Sequence, residues 1–195
     1  GGDFPKTKNV SVGLLGADYE IVDGYYKFKK IYSGLNWNPD LTAPLTQPGI
    51  DVKQGQYLVA VNGIPLNAKT NIYSLFQNTA GKQIKITVND SASLKNAKDF
   101  IVVPIPYESG LRRMDWIEGN RRKVDSLSGG RIAYVYLPNT ADQGYDFFNR
   151  YFFSQLNKDA VIADDRNNMG GYAADYIVDL LARKTVMYSN QRDNK

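Results

Sequence analysis

The 195-residue chain contains no cysteine and no histidine. Without cysteine there is no disulfide, no thiolate metal site and no thiol nucleophile, and the redox compartment stays open. Without histidine the commonest metal ligand and the commonest general base near neutral pH are both missing. A complete Ser-His-Asp triad therefore cannot be built from this chain alone. No apolar run approaches the ~20 residues that a bilayer-spanning helix needs, so no membrane partner is expected. Neither G-x-G-x-x-G nor G-x-x-x-x-G-K-[ST] occurs, which speaks against nucleotide binding. The formal net charge is only +4. Its densest basic cluster, Arg112, Arg113, Arg121, Arg122 and Lys123, reads as a solvated helix face rather than a nucleic-acid surface. No cofactor and no metal are expected.

What is present suffices for a globular core. Hydrophobic residues make up 43% and charged residues 23% of the chain, and the length suits one or two domains. Residues 1–10 are polar and read as a lead-in. Residues 11–107 read as mostly β. Tyr19–Val22, Tyr25–Ile31, Tyr57–Val61, Gln83–Val88 and Phe100–Ile105 are rich in β-branched and aromatic residues. Ile84, Ile86 and Val88 alternate with Lys85 and Thr87, the period of a half-buried strand. Asp23-Gly24 and Asn62-Gly63 are hairpin-turn pairs. Asn71–Gln77 predicts a short helix, and the polar run Asn89–Asp99 an exposed excursion.

The periodicity changes after Pro106. Residues 108–130 predict a helix with its glycine stop at Ser128-Gly129-Gly130. Its apolar stripe is Leu111, Met114, Ile117, Val124 and Leu127, with Gly119 a weak point. A strand over Arg131–Leu137 follows. Next comes a helix over Tyr145–Leu156, with Tyr145, Phe148, Phe152 and Leu156 on one side. Ala160–Ala163 predicts a second strand. The last helix, Tyr172–Lys184, has Tyr172, Tyr176, Val178, Leu180 and Leu181 as its apolar set. Strand, helix, strand, helix implies a βαβ unit and a parallel sheet. The fold class expected is thus α+β and α/β: a β-rich domain, a linker helix, and a partial βαβα domain over residues 131–195. Two strands make an incomplete parallel sheet, and the chain opens Gly1-Gly2-Asp3, so a longer natural protein is expected.

Pro44–Leu66 orders Pro-Gly, Lys-x-Gly, an apolar strand and Val-Asn-Gly, and it resembles the heart of a PDZ domain. Gly13, Leu14, Leu15 and Gly16 stand where such domains carry a carboxylate-binding loop. The resemblance implies peptide binding: backbone N–H groups form an anion nest beside a sheet edge to which an extended peptide adds. A groove would lie between the strand after that loop and the helix near Asn71–Gln77. A tight turn is the plain alternative for Gly13–Gly16.

From Leu111 onward, L-R-R-M-D-W-I-E-G-N-R-R-K-V, S-G-G-R-I-A-Y-V-Y-L-P and V-I-A-D-D-R-N-N-M-G-G are similar to the carboxyl-terminal processing protease superfamily of serine peptidases, and within it to tricorn-type proteases. That family sets a PDZ domain directly before an α/β serine protease domain. The resemblance implies peptide cleavage through an acyl-enzyme. The pattern Asp-x-Arg-x-Asn-x-Gly-Gly would lie beside the active site, with Gly171 as oxyanion donor and Gly170 as the turn next to it. The helix N-terminus behind them would add its positive end. Asp165 and Arg166 are expected to hold the loop, and the Asn168 side chain to pin the turn. The position where tricorn-type enzymes carry an acid for basic substrates falls near Ser189. The family's nucleophilic serine lies downstream of Lys195 and its histidine upstream of the PDZ domain, so neither maps onto a residue here. The resemblance further implies a homo-oligomeric parent in the cytoplasm, with a periplasmic or secreted relative as the other possibility, and a peptide or a peptide C-terminus as partner. The other functional readings are a non-catalytic peptide-binding or scaffold module on a protease frame, and an interaction domain assembling through Phe147, Phe148, Phe152 and Phe153.

Overall fold

The computed structural model describes residues 10–36 and 38–184. The chain divides into two compact units, 1–116 and 117–195. The mixed α+β and α/β class expected from the sequence is the class observed.

The first unit is an antiparallel sheet. Its strands are β1 (Ala17–Val22), β2 (Tyr25–Ile31), β3 (Tyr57–Val61), β4 (Ile64–Pro65), β5 (Ile84–Asn89) and β6 (Lys98–Val102), arranged β1-β2-β3-β5-β6 with β4 paired to β3. Both two-residue hairpins form as their sequences demand. Asp23 and Gly24 adopt φ of 52° and 75°, and Asn62 and Gly63 adopt 50° and 80°, the left-handed pair whose twist matches the flanking strands. The alternation in β5 is realised: Ile84, Ile86 and Val88 are buried and the residues between them are half-buried. Every residue of β3 is buried, as befits a central strand covered on both faces. Phe28, Leu58, Leu66, Phe76 and Ile86 fill the core, joined by Leu15, Val61 and Val102.

Two local expectations shift. The last strand lies at Lys98–Val102 rather than Phe100–Ile105, because β5 pairs with it down to Val88↔Lys98 and Pro104, lacking an N–H, cannot extend the ladder. The short helix is a 3₁₀ turn, Ile72–Phe76. The Asn71 side chain caps it by accepting from the Tyr73 N–H, and Ile72 and Phe76 are its buried residues.

Helix α1 (Ser109–Leu127) gives its first two turns to the first unit, where Leu111 packs with Tyr32 and Ala43. Its remainder belongs to the second unit, where Ile117 and Val124 join the core. Leu127, the last member of the expected stripe, is 80% exposed, because it sits in the last turn. Gly129 and Gly130 stop the helix at φ of 61° and 82°, and the Gly130 N–H closes onto the Asp125 carbonyl at 2.7 Å.

The second unit also holds β7 (Ile132–Tyr136), α2 (Asp142–Phe153), β8 (Ala160–Asp164) and α3 (Ala174–Ala182). β7 and β8 run parallel in register Ile132↔Ala160 to Tyr136↔Asp164, with α2 as their crossover. The inward face of α2 is Gly144, Phe148 and Tyr151, and Phe147 and Phe152 pack on the same core. Tyr145 and Leu156, expected on that face, are exposed. The helix starts at Asp142, three residues early, and ends before Leu156, and its buried face centres on Phe148. In α3 the buried residue is Ile177, while Tyr172, outside the helix, and Val178 point to solvent.

Phe28 and Phe148 are each fully buried, one per unit. Phe28→Ala and Phe148→Ala are each expected to destabilise the unit that houses them by about 3–5 kcal/mol through lost burial and a residual cavity. Amide exchange in β2 and in α2 reads the two losses separately.

Candidate functional site

The stretch V-I-A-D-D-R-N-N-M-G-G contains the end of β8 and the loop that leads to α3. A buried charge organises it. The Asp164 carboxylate is buried and accepts four hydrogen bonds. These come from the Tyr134 hydroxyl at 2.5 Å, Arg166 Nη2 at 2.5 Å, Arg166 Nε at 2.8 Å and the Arg166 backbone N–H at 3.2 Å. The Arg166 guanidinium holds this carboxyl well below the usual carboxylate range, at about 2. Burial, with Asp164 beside it, pushes the Tyr134 phenol up to about 12. Asn120 Nδ2 donates to the Tyr134 hydroxyl at 3.2 Å, which extends the network to α1. The acid that pairs with Arg166 is therefore Asp164, the first residue of the Asp-x-Arg pattern. Asp165, expected to share in holding the loop, is exposed and contributes its backbone carbonyl to the Asn168 N–H at 2.9 Å.

Beyond Arg166 the chain is laced to the segment after β7. Asn167 takes a left-handed φ of 62°. The Asn168 side chain bridges both sides of the turn: its Oδ1 accepts from the Gly170 N–H at 2.7 Å, and its Nδ2 donates to the Leu137 carbonyl at 3.3 Å. The Thr140 N–H donates to the Gly170 carbonyl at 2.9 Å, and the Ala173 N–H to the Thr140 carbonyl at 2.5 Å. These bonds press Gly171 against residues 140 and 141. A Cβ there would collide with the Thr140 carbonyl group and the Ala141 amide. At a φ of 142° the backbone also lies where only glycine is comfortable. Gly170, at φ of 82°, has open space around it. The two glycines answer different needs, a conformation at Gly170 and a close approach at Gly171.

Several backbone donors of the loop are left over, that of Gly171 among them. The Gly171 N–H has no acceptor among the described residues, and Gly171 is exposed. Met169 and Tyr172, at 88% and 101% exposure, flank it. The corner thus presents a bare backbone N–H on a tightly tied loop, two residues before the N-cap of α3, which begins at Ala174 rather than at Tyr172. Asp175 sits in the first turn of that helix. Among the described residues no cluster of three or more acidic, histidine or cysteine side chains could hold a metal ion. No described helix is long and apolar enough to cross a membrane. Ser189 lies outside the described residues.

In the first unit, Gly13–Gly16 runs directly into β1, the edge strand of the sheet. Two of its four N–H groups are committed: Gly13 donates to the Phe76 carbonyl at 2.9 Å and Leu14 to the Ile105 carbonyl at 2.8 Å. Those of Leu15 and Gly16 meet no acceptor among the described residues. Between β1 and the 3₁₀ turn Ile72–Phe76 runs a groove of about 520 Å³, lined by Ala17, Asp18, Tyr19, Lys29, Ile72 and Tyr73 among others. At the loop end it narrows to a slot of about 10 Å³ against Gly13, Leu14, Leu15 and Glu108. Sequence reasoning missed Asp164, Tyr134 and Glu108. The Asp-x-Arg spacing could have found Asp164; Tyr134 and Glu108 are brought in only by the fold.

Over most of its length the chain resembles known proteins. The tricorn protease PDZ domain family matches residues 13–106. A tricorn protease homolog from Streptomyces coelicolor is 32% identical over 175 residues, covering 89% of this chain and 16% of the relative. A tricorn protease homolog from Saccharolobus solfataricus is 31% identical over 195 residues, covering 99% and 18%. The tricorn protease of Thermoplasma acidophilum is 28% identical over 192 residues, covering 98% and 18%. The chain thus spans about a sixth of the length of these relatives. The crystal structure of the tricorn protease superposes with a TM-score of 0.83 at 26% identity, over 95% of this chain and 18% of that one.

Two outcomes follow from the corner. Gly171→Ala is expected to destabilise the second unit by about 2–4 kcal/mol through backbone collision, and Gly170→Ala by only about 1 kcal/mol through its φ. Urea unfolding of the two variants separates them. The folded-state pKa of Asp164 lies below its ordinary value of 3.8, so its stabilising contribution is full above about pH 4 and is lost as pH falls through about 2. After screening of the exposed guanidinium that contribution is about 1–2 kcal/mol. The urea midpoint of the wild-type chain should fall across that window more than that of Asp164→Asn.

Proposed function

The chain is tricorn-like over nearly its whole length, with a PDZ domain of the tricorn protease type at residues 13–106, and on that premise we propose that its parent polypeptide is a serine-type peptidase that cleaves peptides through an acyl-enzyme. In this reading residues 11–107 are the PDZ domain, 108–130 the linker helix and 131–195 the first part of the catalytic domain. Gly171 supplies one oxyanion donor and Gly170 lets the turn form. Ser189 stands at the substrate-pocket position.

The observation that carries the proposal is the unclaimed Gly171 N–H. An acyl-transfer transition state gathers negative charge on one oxygen, and a fixed backbone donor stabilises it without reorganising. The loop bonds through Asn168, Thr140 and Ala173 supply that fixity, and the missing Cβ lets Gly171 seat tightly against Thr140. Asp164 and Arg166 act on the loop, not on substrate. Loss of one such donor costs about 10²–10³ in rate in a hydrolase where it was measured. The PDZ domain captures extended peptide along the free edge of β1 and helps admit substrate. The tricorn resemblance extends the reading to a homo-oligomeric parent in the cytoplasm.

The chain itself supplies no histidine, which also supports a second reading, a non-catalytic peptide-binding module on a protease frame. One experiment separates the two. The purified chain is expected to release no product from fluorogenic peptides. The parent polypeptide is expected to turn them over and to be labelled by a fluorophosphonate on a serine outside these 195 residues. Turnover by the chain alone would remove its assignment as an inactive segment. An unlabelled, inactive parent would leave the binding reading.

A further inference from the structure

The groove along β1 ends in an unusual way for an anion site. The slot at its head is about 10 Å³, room for one water and no more. The slot carries a carboxylate. Glu108 lines the slot, and its side chain is only 14% exposed. Arg112 takes the same oxygen of Glu108 twice, through Nε at 2.9 Å and Nη2 at 2.5 Å. Oε2 is left for another donor. Arg112 is itself shared: it also pairs with Asp18 at 2.7 Å, donates to the Tyr32 hydroxyl at 2.8 Å and lies over the Tyr32 ring at 4.7 Å, so four of its five N–H donors are engaged. It has no charge to spare for an incoming anion. Tyr19 and Tyr73 line the slot beside Glu108, and aromatic faces next to a carboxylate favour a cation.

We propose that this groove binds an extended peptide through a lysine or arginine side chain placed against Glu108, and that it excludes a free C-terminal carboxylate. The proposal rests on the reading that β1 captures peptide by strand addition, and it names the chemistry of the occupant. A terminal carboxylate would have to enter a slot too small for it, with only the Leu15 and Gly16 N–H groups uncommitted, while facing a half-buried like charge. A basic side chain avoids the like charge. Its long apolar stem lies along Tyr19 and Tyr73 and directs its charged head toward Glu108 at the slot. Main-chain hydrogen bonds to the open edge of β1 supply affinity, and Glu108 supplies the preference.

The test uses the 195-residue chain and a fluorescent nine-residue peptide of β-branched residues with one central lysine. Three forms are compared by anisotropy: free acid, C-terminal amide, and the amide with norleucine in place of lysine. The amide is expected to bind at least as tightly as the acid. Norleucine is expected to weaken binding about tenfold. Glu108→Gln keeps an acceptor for Arg112, and it is expected to erase the lysine preference while the thermal midpoint holds. Tyr73, 48% exposed, offers a second variant without a core defect. Tyr73→Ala is expected to reduce the lysine preference about threefold. Amide shifts should move at Ala17–Tyr19. If the acid binds tenfold tighter than the amide, peptide capture stands and this inference falls. A lysine preference that survives both variants also overturns it. If no form binds, the capture reading itself fails, and this inference with it.

Discussion

The geometry of the glycine corner depends on one buried carboxylate. Asp164 ends β8 inside the protein, where an unpaired charge would be untenable. Its donors are Tyr134 on β7 and Arg166 on the loop, and Asn120 on α1 in turn holds the Tyr134 hydroxyl. Ionised and well paired, Asp164 fixes where the loop leaves the sheet. Everything after it follows from that exit, including the left-handed Asn167, the two-sided Asn168 bridge and the strapping of Gly170 and Ala173 to Thr140.

The result is a loop in which the N–H groups of Arg166, Asn168, Met169, Gly170 and Ala173 are all engaged, while that of Gly171 is left open. A free N–H on a mobile loop would be ordinary. At Gly171 it is free between Gly170 and Ala173, both bonded to Thr140, in contact so close that no Cβ is admitted. Such preorganisation is what electrostatic catalysis requires, since a donor that must move to meet developing charge loses much of its advantage. The first unit repeats the logic with the opposite sign. There the fold places a carboxylate, Glu108, at the end of a groove, and Arg112 secures it without cancelling it for a ligand, because that arginine is shared with Asp18.

Much of this was legible in the sequence. The chain fixes its own turns where glycine or asparagine must take positive φ, as at Asp23-Gly24, Asn62-Gly63 and Gly129-Gly130, since those conformations are a property of the residue itself. It fixes the strand β5 through strict alternation, and the βαβ order of the second unit through its change of period. The pairing of a PDZ-like segment with the D-D-R-N-N-M-G-G loop carried the family. These are local signals, and local chemistry alone decides them.

Only the tertiary structure decided which faces are buried and which charges meet. Leu127, Tyr145, Leu156 and Tyr172 are apolar at plausible spacings yet exposed, whereas Ile177, unremarked in its stripe, is buried. Helix boundaries moved by a few residues, which left Leu156 and Tyr172 outside their helices. Glu108 pairs with Arg112 one helical turn away, but that spacing says nothing of the groove it faces. That depends on a loop nearly a hundred residues earlier in the chain. The same holds for Tyr134 and Asp164, and for Gly171 against Thr140. The sequence determined what each residue could tolerate. The packing of distant segments determined what each one touches, because burial and pairing are properties of the whole fold and no window of the chain contains them.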